Sequence, residues 1–390
     1  VSPREAVEHA PSWFLSCPAP AADAGNDMPK PGSLPRMIRA GYRAPSCSMG
    51  QRQPRLVGAN MAPWGIGSHG LCLSVRPQRQ PPLLHLQRSV STAHLASKKL
   101  PTPSDPAAQL IDLPGGRRAS IIDHGSGEKG AMIALHGAPG SHRDFRYVAS
   151  PLEAEGIRVV RVNFPGHGHT EESAIGAGKD PCDGQALAEL VKDIADALQL
   201  EKPFILAHSL GGQVAMNCAL KYPDRFSGLV LLSPAPTNGI HRMIRPYWLV
   251  KNASYFHDIV DKTFLSVGWR WLLRQVWILW GFTPKMSTAE VAHCQRRLHF
   301  VDFWAQKERS LKLKEMRVPC LMAWSQDDPM IEEELHHDMS VTMPGGPRLV
   351  FPDGGHFINK HYAPEIAAAT LEFISLAAMR EDAGHLGQRS

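Results

Sequence analysis

The sequence predicts an α/β protein, a mostly parallel sheet flanked by helices with a helical lid inserted after the sixth strand. From residue 108 onward, short apolar runs alternate with segments whose apolar residues recur at helical spacing, which is typical of strand–helix–strand units. The stretch from Pro236 to Met316 then shows helical spacing without a strand pattern. With 390 residues, 43% of them hydrophobic, the chain can bury the core that such a sheet requires.

Eight apolar runs are predicted to be strands, and the first two form a leading pair joined by the Gly115-Gly116 turn. The predicted strands cover residues 109–113, 119–123, 130–135, 157–164, 203–207, 228–232, 318–324 and 348–351. Helices are predicted over residues 185–200, 210–222, 331–343 and 363–379. The segments that carry the functional motifs follow the carboxyl ends of strands, where open α/β sheets place their sites.

The catalytic core is predicted in two parts, residues 105–235 and 317–380, which are separated by the lid at residues 236–316 and followed by a tail at 381–390. The lid contains six of the nine tryptophans. Its aromatic density predicts a small-molecule substrate with an apolar acyl or aromatic group, although much of that surface must also form the lid's own core. The nearly uncharged run from Thr263 to Pro284 could also make a peripheral membrane contact.

Residues 1–104 are expected to form a disordered, basic N-terminal extension. Between Met28 and Ser104 there are eleven Lys or Arg residues and no Asp or Glu. This composition is typical of a mitochondrial transit peptide, and the stretch from Met61 onward fits a presequence. We therefore expect a mitochondrial location, with a cytoplasmic one as the alternative if the extension is not a targeting signal.

The overall composition excludes several classes of function. The formal net charge of +5 comes from the basic extension, so the catalytic body offers no basic surface for nucleic acid. The seven cysteines include no C-x-x-C pair, which argues against a zinc site or a disulfide framework and favours a reducing compartment. No segment has the roughly 18 uncharged apolar residues of a membrane-spanning helix.

A candidate nucleophile, Ser209, lies between an apolar strand and an apolar-periodic helix. Ala207 and Gly211 flank it two residues away on either side, and small residues at these positions allow a strand and a helix to meet in a sharp turn. Such a turn exposes the serine hydroxyl at a helix N-terminus. The backbone N–H of Leu210 would there face a developing oxyanion.

The motif Ala207-His-Ser-Leu-Gly-Gly resembles the nucleophile elbow of the α/β-hydrolase fold superfamily, with Ala207 in place of the usual first glycine. A second segment, His136-Gly-Ala-Pro-Gly, resembles the oxyanion loop of that family. The resemblance covers residues 108 to 380 and implies that Ala138 supplies the second oxyanion donor. Residues beside these motifs, namely His136, Gly137, His208 and Phe357, are expected to bind the substrate.

A serine hydroxyl needs a base with a pKa near neutrality, and histidine provides one. His356 follows the last strand, as the terminal Gly-His motif of the family does, while His361 is a weaker candidate in the same loop. Two adjacent acids follow the preceding strand. The family's Asp-Pro pair favours Asp328 as the orienting acid, and Asp327 is the alternative.

These residues predict a serine hydrolase that cleaves a carboxylic ester or related acyl bond through an acyl-enzyme, without a metal or organic cofactor. Thioester, peptide and carbon–carbon bond hydrolysis use the same kind of site and remain alternatives. A protein of a different class, a non-catalytic binding module with this fold, is a further alternative.

Overall fold

The computed structural model of the chain describes residues 103–237, 239, 245–279, 282, 284, 286–301, 303 and 305–387, with side chains up to residue 379. Residues 1–102 lie outside these ranges, so the predicted extension and its transit peptide stay predictions. The last helix continues to Gly387, beyond the predicted end at residue 379. Its final turns are rich in helix-forming Ala, Arg, Glu and Leu, which explains why the helix extends into the predicted tail.

An eight-stranded sheet with the order β1-β2-β4-β3-β5-β6-β7-β8 organises the molecule. The two pairings of β2 are antiparallel and the remaining five pairings are parallel. All eight predicted strands are confirmed, each end within two residues. The strands are β1 Gln109–Leu113, β2 Arg117–His124, β3 Ala131–Leu135, β4 Arg158–Val162, β5 Phe204–His208, β6 Leu229–Leu232, β7 Cys320–Ser325 and β8 Arg348–Phe351.

The described residues form ten α-helices: α1 Arg146–Ala154, α2 Gly184–Ala197, α3 Gly211–Lys221, α4 Tyr247–Val260, α5 Ser266–Leu279, α6 Thr288–Phe300, α7 Ala305–Glu315, α8 Glu333–Thr342, α9 Ile358–His361 and α10 Ala363–Gly387. Two 3₁₀ helices cover His142–Phe145 and Glu172–Ile175. Sequence reasoning missed α1 because Pro151 interrupts its helical pattern. The helix forms nonetheless, with Val148 and Leu152 fully buried.

The core lies on both faces of the sheet. Alternate residues of β3 point to opposite sides, so Met132 and Ala134 pack with α1 and α10, whereas Ile133 and Leu135 pack with α2 and α3. Because both faces are covered, the central strands are continuously apolar instead of alternating with polar residues. The result is a three-layer arrangement, helices–sheet–helices.

Helices α4 to α7 form an insert between β6 and β7, within the segment predicted to be the lid. Trp277 of α5 and Leu298 of α6 belong to an apolar cluster that also contains Leu210 and Ala235 from the loops after β5 and β6. The insert therefore covers the carboxyl end of the sheet. Its last helix, α7, returns to the sheet and places Leu313 in the main core.

Candidate active site

Ser209 occupies the sharp turn between β5 and α3. Its φ angle of 53° lies in the left-handed region, which non-glycine residues rarely adopt. The Ser209 N–H donates to the Leu232 carbonyl at 3.0 Å, and the Ala235 N–H donates to the Ser209 carbonyl at 3.1 Å. Both hydrogen bonds hold the turn against the end of β6.

Gly211 shows why the elbow needs small flanking residues. A Cβ atom at this position would lie 2.2 Å from the Leu135 carbonyl oxygen of β3. The first turn of α3 thus passes β3 at a distance that no larger residue permits. Ala207, on the other side of Ser209, is fully buried in β5, where its methyl group is accommodated.

The loop after β3 lies directly against Ser209. A Cβ atom on Gly137 would be 2.8 Å from the Cβ and 3.4 Å from the Oγ of Ser209. No hydrogen bond among the described residues uses the backbone N–H of Ala138 or of Leu210. These two donors next to Ser209 suit an oxyanion.

His356 and Asp328 form a buried acid–base pair. The Nδ1 atom of His356 lies 2.8 Å from Oδ2 of Asp328, and the two residues are 5% and 1% exposed. Oδ1 of Asp328 accepts from the backbone N–H groups of Met330 and Ile331 at 2.8 and 3.1 Å. Burial tends to raise the pKa of Asp328, but the hydrogen bonds from His356 and these two N–H groups hold it below its usual value.

The two alternative residues face elsewhere. Asp327 is exposed and accepts from the Gly355 N–H at 2.8 Å, so it braces the loop that carries His356. His361 is exposed at the end of α9. Of the two adjacent acids, only Asp328 is hydrogen-bonded to His356 among the described residues.

His208 attaches the histidine loop to the elbow. Its Nε2 donates to the His356 carbonyl oxygen at 2.9 Å, and its ring lies 4.9 Å from that of His356. Burial lowers the pKa of His208 to about 3, so the ring is neutral. It is only 2% exposed, a position that favours holding the base over the expected substrate contact.

His136 is also engaged within the protein. Its Nε2 accepts from the Phe164 N–H at 3.1 Å, which leaves Nδ1 to donate to the Gly137 carbonyl at 2.8 Å. Its pKa is lowered well below the usual value by burial. The side chain has no exposed surface and its hydrogen bonds hold the loop after β3, so its expected contact with a substrate stays a prediction. Phe357, in contrast, is 41% exposed beside His356, and its contact with a substrate stays a prediction.

The described residues contain no group of three or more His, Cys, Asp or Glu side chains that could hold a metal ion. The four described cysteines, Cys182, Cys218, Cys294 and Cys320, are free and buried. Burial raises the pKa of each thiol, which disfavours the reactive thiolate.

Sequence reasoning missed Arg297, which enters the site from α6. It is 5% exposed, donates to the Gly137 carbonyl at 3.3 Å and lies 5.1 Å from the centre of the Phe164 ring. Nothing in the spacing of the insert distinguishes it from its neighbour Arg296. Only the packing of α6 over the sheet brings it to the loop.

Comparison with known proteins agrees with this architecture. The chain is 26% identical over 275 residues to a 2-hydroxy-6-oxo-6-phenylhexa-2,4-dienoate hydrolase of Burkholderia cepacia, covering 66% of this chain and 91% of that protein. It is likewise 26% identical to a 2-hydroxy-6-oxononadienedioate/2-hydroxy-6-oxononatrienedioate hydrolase of Comamonas testosteroni, with the same coverage. The structure of a thermophilic esterase from Thermogutta terrifontis superposes with a TM-score of 0.54 at 19% identity, covering 70% of this chain and 99% of that one.

A family model for the α/β hydrolase fold matches residues 130–360, more than half of the chain. That range includes the elbow at Ser209, the loop at Gly137 and the pair formed by Asp328 and His356. This chain therefore belongs to the α/β-hydrolase fold family.

Proposed function

We propose that this protein is a serine hydrolase that cleaves a carboxylic ester or a related acyl bond through an acyl-enzyme. The observation that carries the proposal is the buried hydrogen bond between His356 and Asp328. The loop of His356 is tied by His208 to the strained turn that carries Ser209. Asp328 holds Nδ1 of His356 protonated, which leaves Nε2 to receive the proton of Ser209. Family membership makes a hydrolase the expected class of enzyme.

The proposed reaction has two halves. Ser209 Oγ attacks the carbonyl carbon while His356 takes the hydroxyl proton, and the N–H groups of Ala138 and Leu210 stabilise the oxyanion. His356 then gives the proton to the leaving alcohol as the ester bond breaks. In the second half, His356 takes a proton from the water that attacks the acyl carbon. The bond to Ser209 Oγ then breaks, Oγ receives the proton from His356, and the carboxylic acid is released.

A fluorophosphonate probe tests the nucleophile directly. The wild-type chain should be labelled and should turn over p-nitrophenyl esters, and both activities should be lost in Ser209→Ala. Ser233→Ala is a matched control, since Ser233 is buried after β6 and has a positive φ angle like Ser209. If the wild type neither labels nor hydrolyses any ester, a non-catalytic binding role replaces this proposal.

Carbon–carbon bond hydrolysis is the second candidate. The relatives from B. cepacia and C. testosteroni are named as hydrolases of 2-hydroxy-6-oxo dienoates, and they match over 91% of their own lengths. Such a reaction breaks a bond beside a ketone and requires the leaving carbon to be protonated. Comparing kcat/KM for 2-hydroxy-6-oxo-6-phenylhexa-2,4-dienoate with that for an aryl ester, using the same preparation, decides between the two substrates.

We further propose that the substrate carries an apolar acyl or aromatic group. Phe357 offers an exposed ring beside His356, and the apolar cluster of the insert contains Ala138 and Leu210, so apolar side chains surround the oxyanion donors. Phe357→Ala should raise KM for a benzoate ester more than for an acetate ester. An equal change for the two esters would contradict this substrate preference.

The outer face of the insert is proposed to rest on a lipid surface. Trp248 and Trp271 are 65% and 58% exposed, Val267 is 78% exposed, and Phe264 at the turn between α4 and α5 is 92% exposed. Aromatic side chains of this kind favour the boundary between lipid and water. Of the helices that the structure describes, none has both the length and the apolarity to span a bilayer.

Sedimentation with phosphatidylcholine vesicles tests this contact, because uncharged vesicles do not attract the basic extension. The double variant Phe264→Ser/Trp271→Ser should sediment several-fold less than the wild type. Val341→Ser, at an equally exposed position of α8, should bind like the wild type. Equal sedimentation of all three proteins, or none by the wild type, would contradict the contact.

Mitochondrial targeting is proposed from the composition of residues 1–104. Eleven basic residues and no acidic ones between Met28 and Ser104 support it. A fusion of residues 1–104 to a fluorescent protein should accumulate in mitochondria. A diffuse cytoplasmic signal would favour the alternative location.

A further inference from the structure

Arg297 is a buried cation with an unusual set of neighbours. Its guanidinium donates to the Gly137 carbonyl and faces the ring of Phe164. Among the described residues, no carboxylate forms an ion pair with it. Arginine side chains buried to this extent are usually paired with an acid, because an isolated charge loses its hydration.

The contact between Arg297 and the Gly137 carbonyl affects the direction of the Ala138 N–H. The same oxygen accepts from His136 Nδ1 at 2.8 Å, so two donors fix the orientation of one peptide group. The peptide between Gly137 and Ala138 is trans, and in a trans peptide the N–H points away from the carbonyl. Fixing the Gly137 oxygen therefore aims the Ala138 N–H towards the opposite side.

We propose that Arg297 is a positioning residue for the oxyanion hole: it orients and polarises the Gly137–Ala138 peptide so that the Ala138 N–H stabilises the negative charge formed at the substrate carbonyl. This inference rests on the proposed serine-hydrolase function. A positive charge behind the peptide draws electron density towards the carbonyl oxygen and makes the N–H a stronger donor. Because Arg297 lies on α6, this role would make the proposed reaction at Ser209 depend on a helix of the insert.

The neighbouring residue provides a matched control. Arg296 joins the same helix to the core through Asp180 at 2.8 Å and to α4 through Asp258 at 3.2 Å. Within the part of the chain that the structure describes, it has no hydrogen bond to the oxyanion loop. A loss of Arg296 loosens α6 but leaves the Gly137 carbonyl with both donors. Comparison of the two arginines separates an effect on the oxyanion hole from an effect on the insert alone.

The test uses the full-length chain with Arg297→Met, Arg297→Lys and Arg296→Met. For each variant, kcat and KM on a p-nitrophenyl ester are measured together with the inhibition constant of an alkyl trifluoromethyl ketone, which forms a tetrahedral oxyanion on serine. Arg297→Met should lower kcat about 10- to 100-fold, less than the loss of a whole donor, with KM nearly unchanged. The inhibition constant should rise by the same factor as kcat/KM falls, and Arg297→Lys should recover part of both.

Two results would overturn the inference while leaving the proposed function intact. One is an equal loss in Arg296→Met, and the other is a change in KM without a change in the inhibition constant. Circular dichroism and urea denaturation verify that Arg297→Met is folded. If Arg297→Met does not fold, the same comparison of kcat/KM and inhibition constant is made with Arg297→Lys. An inactive, unlabelled wild type would instead reject the proposed function and this inference with it.

Discussion

One ring nitrogen of His356 is held by a buried acid, and this contact gives each residue of the pair its proposed role. Nδ1 faces the buried carboxylate of Asp328, whose other oxygen is held by two backbone N–H groups. The carboxylate thus keeps its charge and its orientation when the histidine gains a proton. The adjacent Asp327 is exposed to solvent, and its hydrogen bond goes to the backbone N–H of Gly355 in the loop that carries His356.

The Asp328→Asn variant should lose most of its activity. An amide at this position can present its N–H₂ group to Nδ1 and hold the wrong tautomer of His356, a change that lowers kcat about 10⁴-fold in serine proteases. Asp327→Asn, the matched control, should keep kcat within a few-fold of the wild type. Steady-state kinetics on a p-nitrophenyl ester measure both, and a larger effect of Asp327→Asn would exchange the roles of the two acids.

At the scale of elements, the site depends on how closely a helix can approach a strand. The turn after β5 carries Ser209, and α3 begins so near β3 that the Leu135 carbonyl occupies the place of a side chain at Gly211. The close approach places the N-terminus of α3 next to β3, and the loop after β3 lies against Ser209 through Gly137. The proposed oxyanion donors, the N–H groups of Ala138 and Leu210, thus belong to two elements that pack tightly.

Gly211→Ala should destabilise the fold. The added methyl group overlaps a backbone carbonyl that cannot rotate away, so the free energy of unfolding should fall by at least about 1–3 kcal/mol. Gly268→Ala in α5 is the control, because no atom of the described residues beyond the adjacent backbone of its own helix lies within 4 Å of the added Cβ. Its stability should be unchanged or raised by up to about 1 kcal/mol. Urea denaturation measures the free energy of unfolding of both variants. If the two variants are equally stable, β3 can shift to make room for the added methyl group.

The insert itself contains two kinds of helix. Helix α6 is buried on most sides and is fixed to the core by Arg296 and by His293, whose Nε2 lies 3.0 Å from Glu172. Helices α4 and α5 instead bury only Ser254, His257, Leu273 and Trp277 and expose apolar faces. The inner helix is thus suited to supporting the oxyanion loop, and the outer pair to meeting another apolar surface.

At the scale of the whole molecule, the site is surrounded by histidines that stay neutral. Burial lowers the pKa of His167 and of His208 to about 3, and that of His136 falls well below its usual value. Each of these rings gains a proton when the chain unfolds below about pH 6.5. One acid opposes them, since burial raises the pKa of Asp144 to about 7 and folding there takes up a proton.

The free energy of unfolding should therefore fall as the pH decreases from 6 to 5. These four groups give a net uptake of about two protons on unfolding, which corresponds to roughly 3 kcal/mol per pH unit. His167→Asn should reduce this slope by the amount that corresponds to about one proton. His169→Asn, at an exposed position, should leave the slope unchanged. Urea denaturation at a series of pH values measures the slope. An unaltered slope in His167→Asn would mean that this ring is protonated in the folded state.

Much of this protein follows from local patterns along the chain. Apolar runs of strand length, separated by helical spacing, determined the eight strands, because a sheet buried on both faces requires continuous apolar residues. The elbow at Ser209 was also visible, since small residues two positions away are a local steric requirement. The residues of the proposed triad could be named because they follow β5, β7 and β8 and match motifs of the family.

Other features depend on contacts between residues far apart in the sequence, and only the tertiary structure decided them. Asp327 and Asp328 are adjacent and chemically alike, and the direction of the loop after β7 decides which one meets His356. The burial of His136 and His208 depends on what packs over them. Arg297 reaches the Gly137 carbonyl across 160 residues of sequence because α6 packs over the carboxyl end of the sheet, a placement that no local pattern specifies.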